Sequence, residues 1–235
     1  MHVNKAFSGV RAVLNKLLRG ENNQSGIALI EFAYSLPIFM TLGITGTELS
    51  NMAVTNMQVS QVAMSITDNL SRAKLAVPLG KPQFREHDIN DAFLGAGLQD
   101  GRLDIYKAGR VVVSSLQRNT DGGQWIAWQR CQGLKNSPSL FGVEGTGKTG
   151  TALTGIGLST GRVAAEQDTA IIVTEITYEY QPLISNNLLG SMTMRAESAF
   201  YVRDDRDLTG GTDKNGVYNP TPVVVKRSCS TFTAT

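Results

Sequence analysis

The chain has 235 residues, of which 41% are hydrophobic and 18% are charged, and its formal net charge is +2. This length suits one medium domain with appendages, and the composition is that of a globular protein with an added apolar stretch. The net charge is too small to indicate a nucleic-acid partner. Two cysteines and two histidines are too few for the usual kind of metal-ligand cluster. We therefore expect no metal and no cofactor.

The first 26 residues predict a basic leader that lies on the cytoplasmic side of a membrane. They hold four bases and one acid, so they carry +3 of the net charge and leave −1 for the rest of the chain. Residues 5–19 interleave apolar and basic side chains with helical spacing, and residues 22–25 predict an irregular, polar approach to Gly26. Because cytoplasmic flanks are enriched in Lys and Arg, everything after about residue 50 is expected outside the cytoplasm.

An apolar segment, residues 27–47, follows the leader. It has 21 residues and one charge, Glu31, and about 20 apolar residues are enough to cross a bilayer. A carboxylate in such a segment is costly, so by default it has a partner and a function. We expect this membrane-spanning segment to begin a longer helix, residues 27–77, which is interrupted or kinked at Pro37 because the proline ring removes a backbone hydrogen bond.

The upper part of the predicted helix carries an apolar stripe and neutral flanks. The stripe has heptad-like spacing and consists of Leu49, Met52, Asn56, Val59, Ala63, Ile66, Leu70, Ala73 and Val77. No charged residue occurs from Leu49 to Thr67, although solvated helix faces usually carry charge. We expect the stripe to pack on the chain's own globular domain and the upper segment to pack on neighbouring subunits.

The remaining chain predicts a globular domain, residues 78–235, which begins at the helix-ending prolines and glycine near residue 80. A short helix is predicted at residues 88–97. Strands are predicted at residues 110–116, 125–128, 170–180 and 191–203. Several strands with few helices between them favour an α+β fold in which one face of an antiparallel sheet packs on the long helix. Residues 135–160 and 204–222 predict long loops.

Six residues at the junction of the leader and the apolar segment form the pattern of a processing signal. They are Gly26, Ile27, Glu31, Phe32, Ala33 and Pro37. In this pattern the sequence resembles the prepilins of type IV pili, and more closely the TadE-like minor pseudopilins of the tight-adherence (Tad/Flp, type IVb) system. The resemblance implies a pilin-like fold and cleavage between Gly26 and Ile27 by a prepilin peptidase. It also implies an assembly contact, with Phe32 beside it, in which Glu31 pairs with the new amine of Ile27 of a neighbouring subunit.

The resemblance implies a minor pilin or pseudopilin that takes part in assembling a pilus for surface adhesion or secretion and has no enzymatic activity. Its expected partners are other pilin subunits, the prepilin peptidase, the inner-membrane assembly platform and membrane lipid. Its expected location is the inner membrane, crossed once, with the C-terminal domain in the periplasm, or the extracellular pilus after assembly. The alternative is a signal-anchored periplasmic binding or adhesin domain that enters no fibre and keeps its N-terminus. For an anchored enzyme, a further alternative, the sequence offers no catalytic constellation.

Cys131 and Cys229 both lie on the expected outer side of the membrane, where disulfides persist. If they are joined, the disulfide closes a long loop, and the chain-entropy model gives it roughly 4 to 5 kcal/mol of stabilisation. Two separately buried thiols are the alternative.

Residues 142–149 match the phosphate-binding pattern G-x4-G-K-[ST] letter for letter. That pattern works only between a buried strand and a helix that aims its backbone amides at the phosphate. Here Asn, Ser and Pro precede the loop and further glycines follow it. We therefore expect no nucleotide site.

A late acidic stretch offers weak candidate ligands for calcium, which takes six to eight oxygens. They are Asp204, Asp205, Asp207, Asp213 and Asn215. Their spacing fits no EF-hand, so solvated turn residues are the preferred interpretation. Among the aromatic residues, Trp125 and Trp128 are three apart on a predicted strand, which places them on opposite faces.

Overall fold

A long helix and a four-stranded antiparallel sheet are the main elements of the computed structural model, which describes residues 24–158, 161–184, 190–203, 205–211 and 213–234. Most of the expected leader therefore lies outside the described residues. The helices are α1 (Gln24–Arg72), α2 (Glu86–Gln99) and α3 (Ile105–Ala108). The strands are β1 (Phe84–Arg85), β2 (Gly109–Arg118), β3 (Gln124–Gln132), β4 (Ile156–Leu158), β5 (Gly161–Val163), β6 (Ala170–Glu179), β7 (Thr193–Tyr201) and β8 (Val217–Tyr218).

The chain divides into two units, Met1–Leu49 and Ser50–Thr235. The boundary between these units falls within α1. The reason is that the last turns of α1, from Ser50 onward, bury their apolar stripe in the second unit. We refer to Ser50–Thr235 as the globular unit.

The central sheet of the globular unit has the strand order β3-β2-β6-β7, and all of its pairs are antiparallel. Each of the four predicted strands and the predicted short helix is present. The inner face of the sheet carries Val111, Val113, Ile172 and Ile176, which belong to the core cluster that includes the end of α1. The outer face carries a smaller cluster under the loops, so the expected α+β fold with an antiparallel sheet is confirmed.

The end of α1 packs on the inner face through Val59, Ala63, Ile66 and Leu70, all buried. Two polar contacts set its direction. Asn51 Nδ2 donates to the Tyr180 hydroxyl at 2.7 Å, just past the end of β6, and the Thr67 hydroxyl lies 2.8 Å from that of Thr174 in mid-strand. This part of α1 therefore runs antiparallel to β6 and parallel to β7.

The stripe and the end of α1 differ in part from the prediction. Leu49 and Asn56 are exposed, whereas Thr55 and Val62, which were not assigned to the stripe, are buried. The helix ends at Arg72 rather than near Val77, because buried Arg206 donates to its final carbonyls, Leu70 O at 3.2 Å and Ser71 O at 2.8 Å. A side chain distant in sequence thus satisfies the unpaired groups of the helix terminus.

The two tryptophans do not lie on opposite faces of the sheet. Ser115 pairs with Trp128 but Leu116 pairs with Ile126, so Ala127 is an extra residue in β3. Such a β-bulge shifts the alternation of side chains by one position. As a result Trp125 and Trp128 both pack against the inner cluster.

Candidate membrane and assembly segment

The apolar segment is exposed along its length. Leu29 is 70% exposed and Phe39 is 69% exposed, and large apolar side chains point to every side of the helix. Within the part of the chain that the structure describes, the helix Gly26–Arg72 is the one that is long and apolar enough to cross a membrane, and none of its most apolar window is buried. Contiguous exposed apolar surface of this size marks a membrane or protein contact.

Three threonine hydroxyls in the segment are satisfied within the helix itself. The hydroxyls of Thr41, Thr45 and Thr47 donate to carbonyls four residues earlier, at 2.7, 2.8 and 2.9 Å. Thr41 donates to the carbonyl of Pro37, which lies inside the helix without interrupting it. Internal satisfaction of this kind is what a helix in hydrocarbon requires.

Glu31 is the one charged residue of the segment, and it is exposed. Ile27 lies four residues earlier on the same side of the helix, and both Ile27 and Phe32 are 60% exposed. All three expected assembly residues are therefore exposed, and Ile27 and Glu31 share one side of the helix.

The expected cleavage position, between Gly26 and Ile27, lies in the first turn of α1. The approach to Gly26 was expected to be irregular, but Gln24 and Ser25 are helical. A Cβ added to Gly26 would meet nothing within 4 Å, and the same is true of Gly43 and Gly46. Glycine weakens a helix, and helix ends fray, so this turn is the easiest part of α1 to unwind.

Beyond the apolar segment, α1 presents an exposed neutral face in the globular unit. It consists of Ala53, Val54, Asn56, Met57, Gln58, Gln61 and Met64. Val54 and Met57 are more than half exposed. This surface has the composition of a helix-packing face, since it lacks the charge that solvated faces usually carry.

Cys131 and Cys229 are joined by a disulfide across 98 residues. Next to it, the Arg110 guanidinium donates to three carbonyls, those of Gly133 (2.7 Å), Thr231 (2.8 Å) and Cys229 (2.8 Å). Burial lowers the pKa of Arg110 below its ordinary value. The disulfide and Arg110 together hold the C-terminal tail, residues 226–234, against the sheet.

The weak calcium candidates are not brought together. Asp205 accepts from Lys81 Nζ at 2.8 Å, Asp213 accepts from Lys226 Nζ at 2.9 Å, and Asp207 accepts from the Tyr218 hydroxyl. Asp204 lies outside the described residues. No group of three or more potential metal-ligating side chains occurs in the part of the chain that the structure describes.

The loop with the phosphate-binding pattern, residues 142–149, is a series of turns with no helix after it. One of its side chains, Glu144, points back to β3, where it accepts from the backbone amide of Gln129 at 3.0 Å and from Arg130 at 2.9 Å. Its backbone also bonds to Ile126. The loop therefore covers an edge of the sheet.

Sequence reasoning missed the buried cations of the globular unit. Arg130 binds Glu86, and Arg206 lies at the end of α1. Arg130 follows the strand residues Ala127 and Trp128, so its position in a strand was a signal that could have been used. Arg206 lies in an irregular acidic stretch that gives no local sign of burial.

No protein-family model, curated protein or solved structure matches this chain.

Proposed function

We propose that this chain is a minor pilin or pseudopilin of the TadE-like kind, which acts by assembly with other subunits and not by catalysis. The precursor is anchored in the inner membrane by the apolar segment, with the globular unit in the periplasm. A prepilin peptidase cuts between Gly26 and Ile27. The mature chain then enters a helical bundle of a type IVb pilus or its membrane platform.

One observation carries this proposal: the exposed apolar segment, residues 27–47, contains a single carboxylate, Glu31, which lies five residues past Gly26. An apolar helix of this length suits a membrane and serves equally well as a packing element in a fibre. A single carboxylate in such a setting requires a cation, because an unpaired charge out of water is strongly unfavourable. A free amine created at Ile27 of a neighbouring subunit supplies that cation.

The neutral exposed face of α1 supports the same function. Its side chains extend the uncharged surface beyond the length of a single membrane crossing, at about 1.5 Å per residue. Glu48, which directly follows the apolar segment, is buried, so the exposed face of α1 at this level carries no charge. A helix that packs between other helices has the small, neutral and methionine side chains found here.

A second candidate function is a signal-anchored binding domain, and one observation favours it. Because α1 begins at Gln24, the Gly26–Ile27 bond lies within helical structure, and peptidases act on extended chain. An uncleaved helix would be a simple anchor, and Glu31 would then have no assembly role.

The two candidates differ in the N-terminus of the protein in native membranes. We expect intact-mass measurement and N-terminal sequencing to show a chain that begins at Ile27. Gly26→Leu is expected to block this processing. Gly43→Leu is the matched control, because both glycines lie in α1 with open space around them, and this control is expected to be processed normally. A wild-type chain that keeps Met1 would overturn the proposal.

A further inference from the structure

A cleft of about 400 Å³ lies in the globular unit between α2, α3 and the C-terminal tail. That volume is near the lower end of the range for ligand sites, roughly 300 to 1,000 Å³. Most of the lining is apolar, and its large or apolar side chains are Phe93, Leu94, Leu98, Tyr106 and Ala234. The cleft therefore suits one bulky apolar group.

One polar side chain in the lining lacks a partner. Gln132, at the end of β3, is only 4% exposed, and its Oε1 accepts no hydrogen bond within the part of the chain that the structure describes. The Tyr106 hydroxyl, by contrast, donates to Phe93 O at 2.5 Å, and Asp100 accepts from the Ile105 amide at 2.7 Å. A buried acceptor without a donor is unfavourable, so Gln132 favours a ligand that brings a hydrogen-bond donor.

The charged groups of the cleft favour a neutral ligand. Two of them are acidic and two are basic: Asp100, Asp104, Lys107 and Arg227. Lys107 Nζ lies 3.1 Å from Asp104 Oδ1. Arg227 Nε donates to Asn90 Oδ1 at 3.0 Å. A charged ligand would have to compete with these contacts and would meet no net opposite charge.

We propose that the cleft receives a tryptophan side chain of a partner protein, whose indole N–H donates to Gln132 Oε1. An indole is neutral and largely apolar, and its nitrogen is a donor with no acceptor. It therefore satisfies Gln132 and leaves no polar group of its own unpaired. Phe93 and Tyr106 meet edge to face, with ring centroids 6.4 Å apart, and a third aromatic ring extends packing of this kind.

Two observations select a partner protein as the source of the ring. Leu94 and Leu98, which line the cleft, are 63% and 79% exposed. The residues on either side of a tryptophan would cover them, whereas a free indole would leave them in water. A second copy of this chain cannot supply the ring, because its two tryptophans, Trp125 and Trp128, both pack against the inner cluster of their own sheet.

The test uses the full chain in detergent and a fluorescein-labelled peptide with the sequence Gly-Ser-Leu-Trp-Leu-Ser-Gly. We expect saturable binding by anisotropy, with detergent alone as the background. A second peptide replaces tryptophan by benzothienylalanine, which keeps the shape of the ring but has sulfur in place of the N–H group. It should bind about tenfold more weakly, because Gln132 again lacks a donor. Equal binding of the two peptides, or no saturable binding, would overturn the proposal.

Two variants locate the ring in the cleft. Gln132→Met keeps the length of the side chain but has no amide, so it should bind both peptides alike. Leu98→Ser changes an exposed residue, so the fold should persist, as urea unfolding will show, while binding of the tryptophan peptide falls about tenfold. Leu140→Ser is the matched control, because Leu140 is also exposed but lies outside the cleft, and it should bind as the wild type does.

Three further outcomes would overturn the proposal. The first is a Gln132→Met variant that still prefers the tryptophan peptide. The second is an equal loss of binding in Leu98→Ser and Leu140→Ser. The third is free indole that binds as tightly as the peptide, which would make a small molecule the occupant. None of these measurements depends on cleavage at Gly26, so this proposal and the proposed function fail separately.

Discussion

The Arg130 guanidinium binds the Glu86 carboxylate through two nitrogens, with Nε 3.1 and 3.0 Å from its two oxygens and Nη2 2.5 Å from one of them. The side chains are only 1% and 6% exposed. Glu86→Gln leaves the buried Arg130 with Glu144, 2.9 Å away and partly exposed, as its remaining charged partner, so we expect the free energy of unfolding to fall by about 3 kcal/mol, the lower end of the range for a broken buried pair. Urea unfolding measures this change.

Two controls separate burial from charge. Lys107→Met breaks the exposed pair with Asp104 and should lower the free energy of unfolding by less than about 1 kcal/mol. The double variant Glu86→Leu with Arg130→Met should be more stable than Glu86→Gln, since no charge stays buried. Equal losses for Glu86→Gln and Lys107→Met would contradict this account.

We expect the disulfide to contribute more to the free energy of unfolding than any single hydrogen bond does. Because it closes a loop of 98 residues, replacement of Cys131 and Cys229 by serine should lower the free energy of unfolding by about 4 kcal/mol. Wild-type protein in reducing agent is the matched comparison and should show the same loss. A change below about 1 kcal/mol in both samples would mean that the tail is held by Arg110 and its neighbours alone.

Glu175 should make stability depend on pH. Burial raises its pKa above the ordinary value of 4.5, and Glu197 adds to this effect, against hydrogen bonds from Ser139 and Leu140. From pH 4.5 up to the folded pKa, the folded state therefore keeps a proton that the unfolded state has lost. The free energy of unfolding then falls as pH rises, by at most about 1.4 kcal/mol per pH unit.

Glu175→Gln removes this titration and keeps groups for both hydrogen bonds. The stability of the wild type minus that of the variant should decline with rising pH across this window and then level off. Urea titrations between pH 4 and pH 7 measure the difference. A difference that grows with pH would refute the raised pKa.

Glu31→Ala tests the assembly role directly. The residue is exposed in the single chain, so we expect the stability of the globular unit and the processing at Gly26 to be unchanged. Assembly should fall at least tenfold, because an amine taken out of water would lack its carboxylate. The measurement is the amount of mature protein in sheared surface fibres. Ser35→Ala, one turn further along and bonded only within its own helix, should assemble normally.

The strands of the sheet could be predicted from sequence because their side chains alternate or are β-branched. Two element boundaries could not be predicted, because they depend on contacts between residues that are distant in sequence. β3 extends through Gln129 and Arg130, whose polarity hides their burial, because Glu86 and Glu144 supply their partners. The end of α1 likewise depends on Arg206, which lies more than 130 residues away.

The candidate membrane and assembly segment could be predicted from sequence more fully than the boundaries of β3 and α1. The apolar segment, Glu31 and Gly26 could be located from sequence alone, because length, charge and spacing are local properties. The faces of Trp125 and Trp128 could not, since a single extra residue at Ala127 reverses the alternation. The position of β7 at one end of the sheet was equally hidden, because strand order is a property of the whole sheet.

The bond between Cys131 and Cys229 has a consequence for the order of events in biogenesis. Both the sulfur partner and two of the carbonyls that bind Arg110 come from the tail, 98 or more residues after Cys131. Until that stretch has been synthesised and has crossed any membrane in its way, β3 lacks part of its cover. The chain therefore passes through a stage in which the loop at residues 142–149 covers β3 without the tail, and oxidation that joins Cys131 to Cys229 ends that stage.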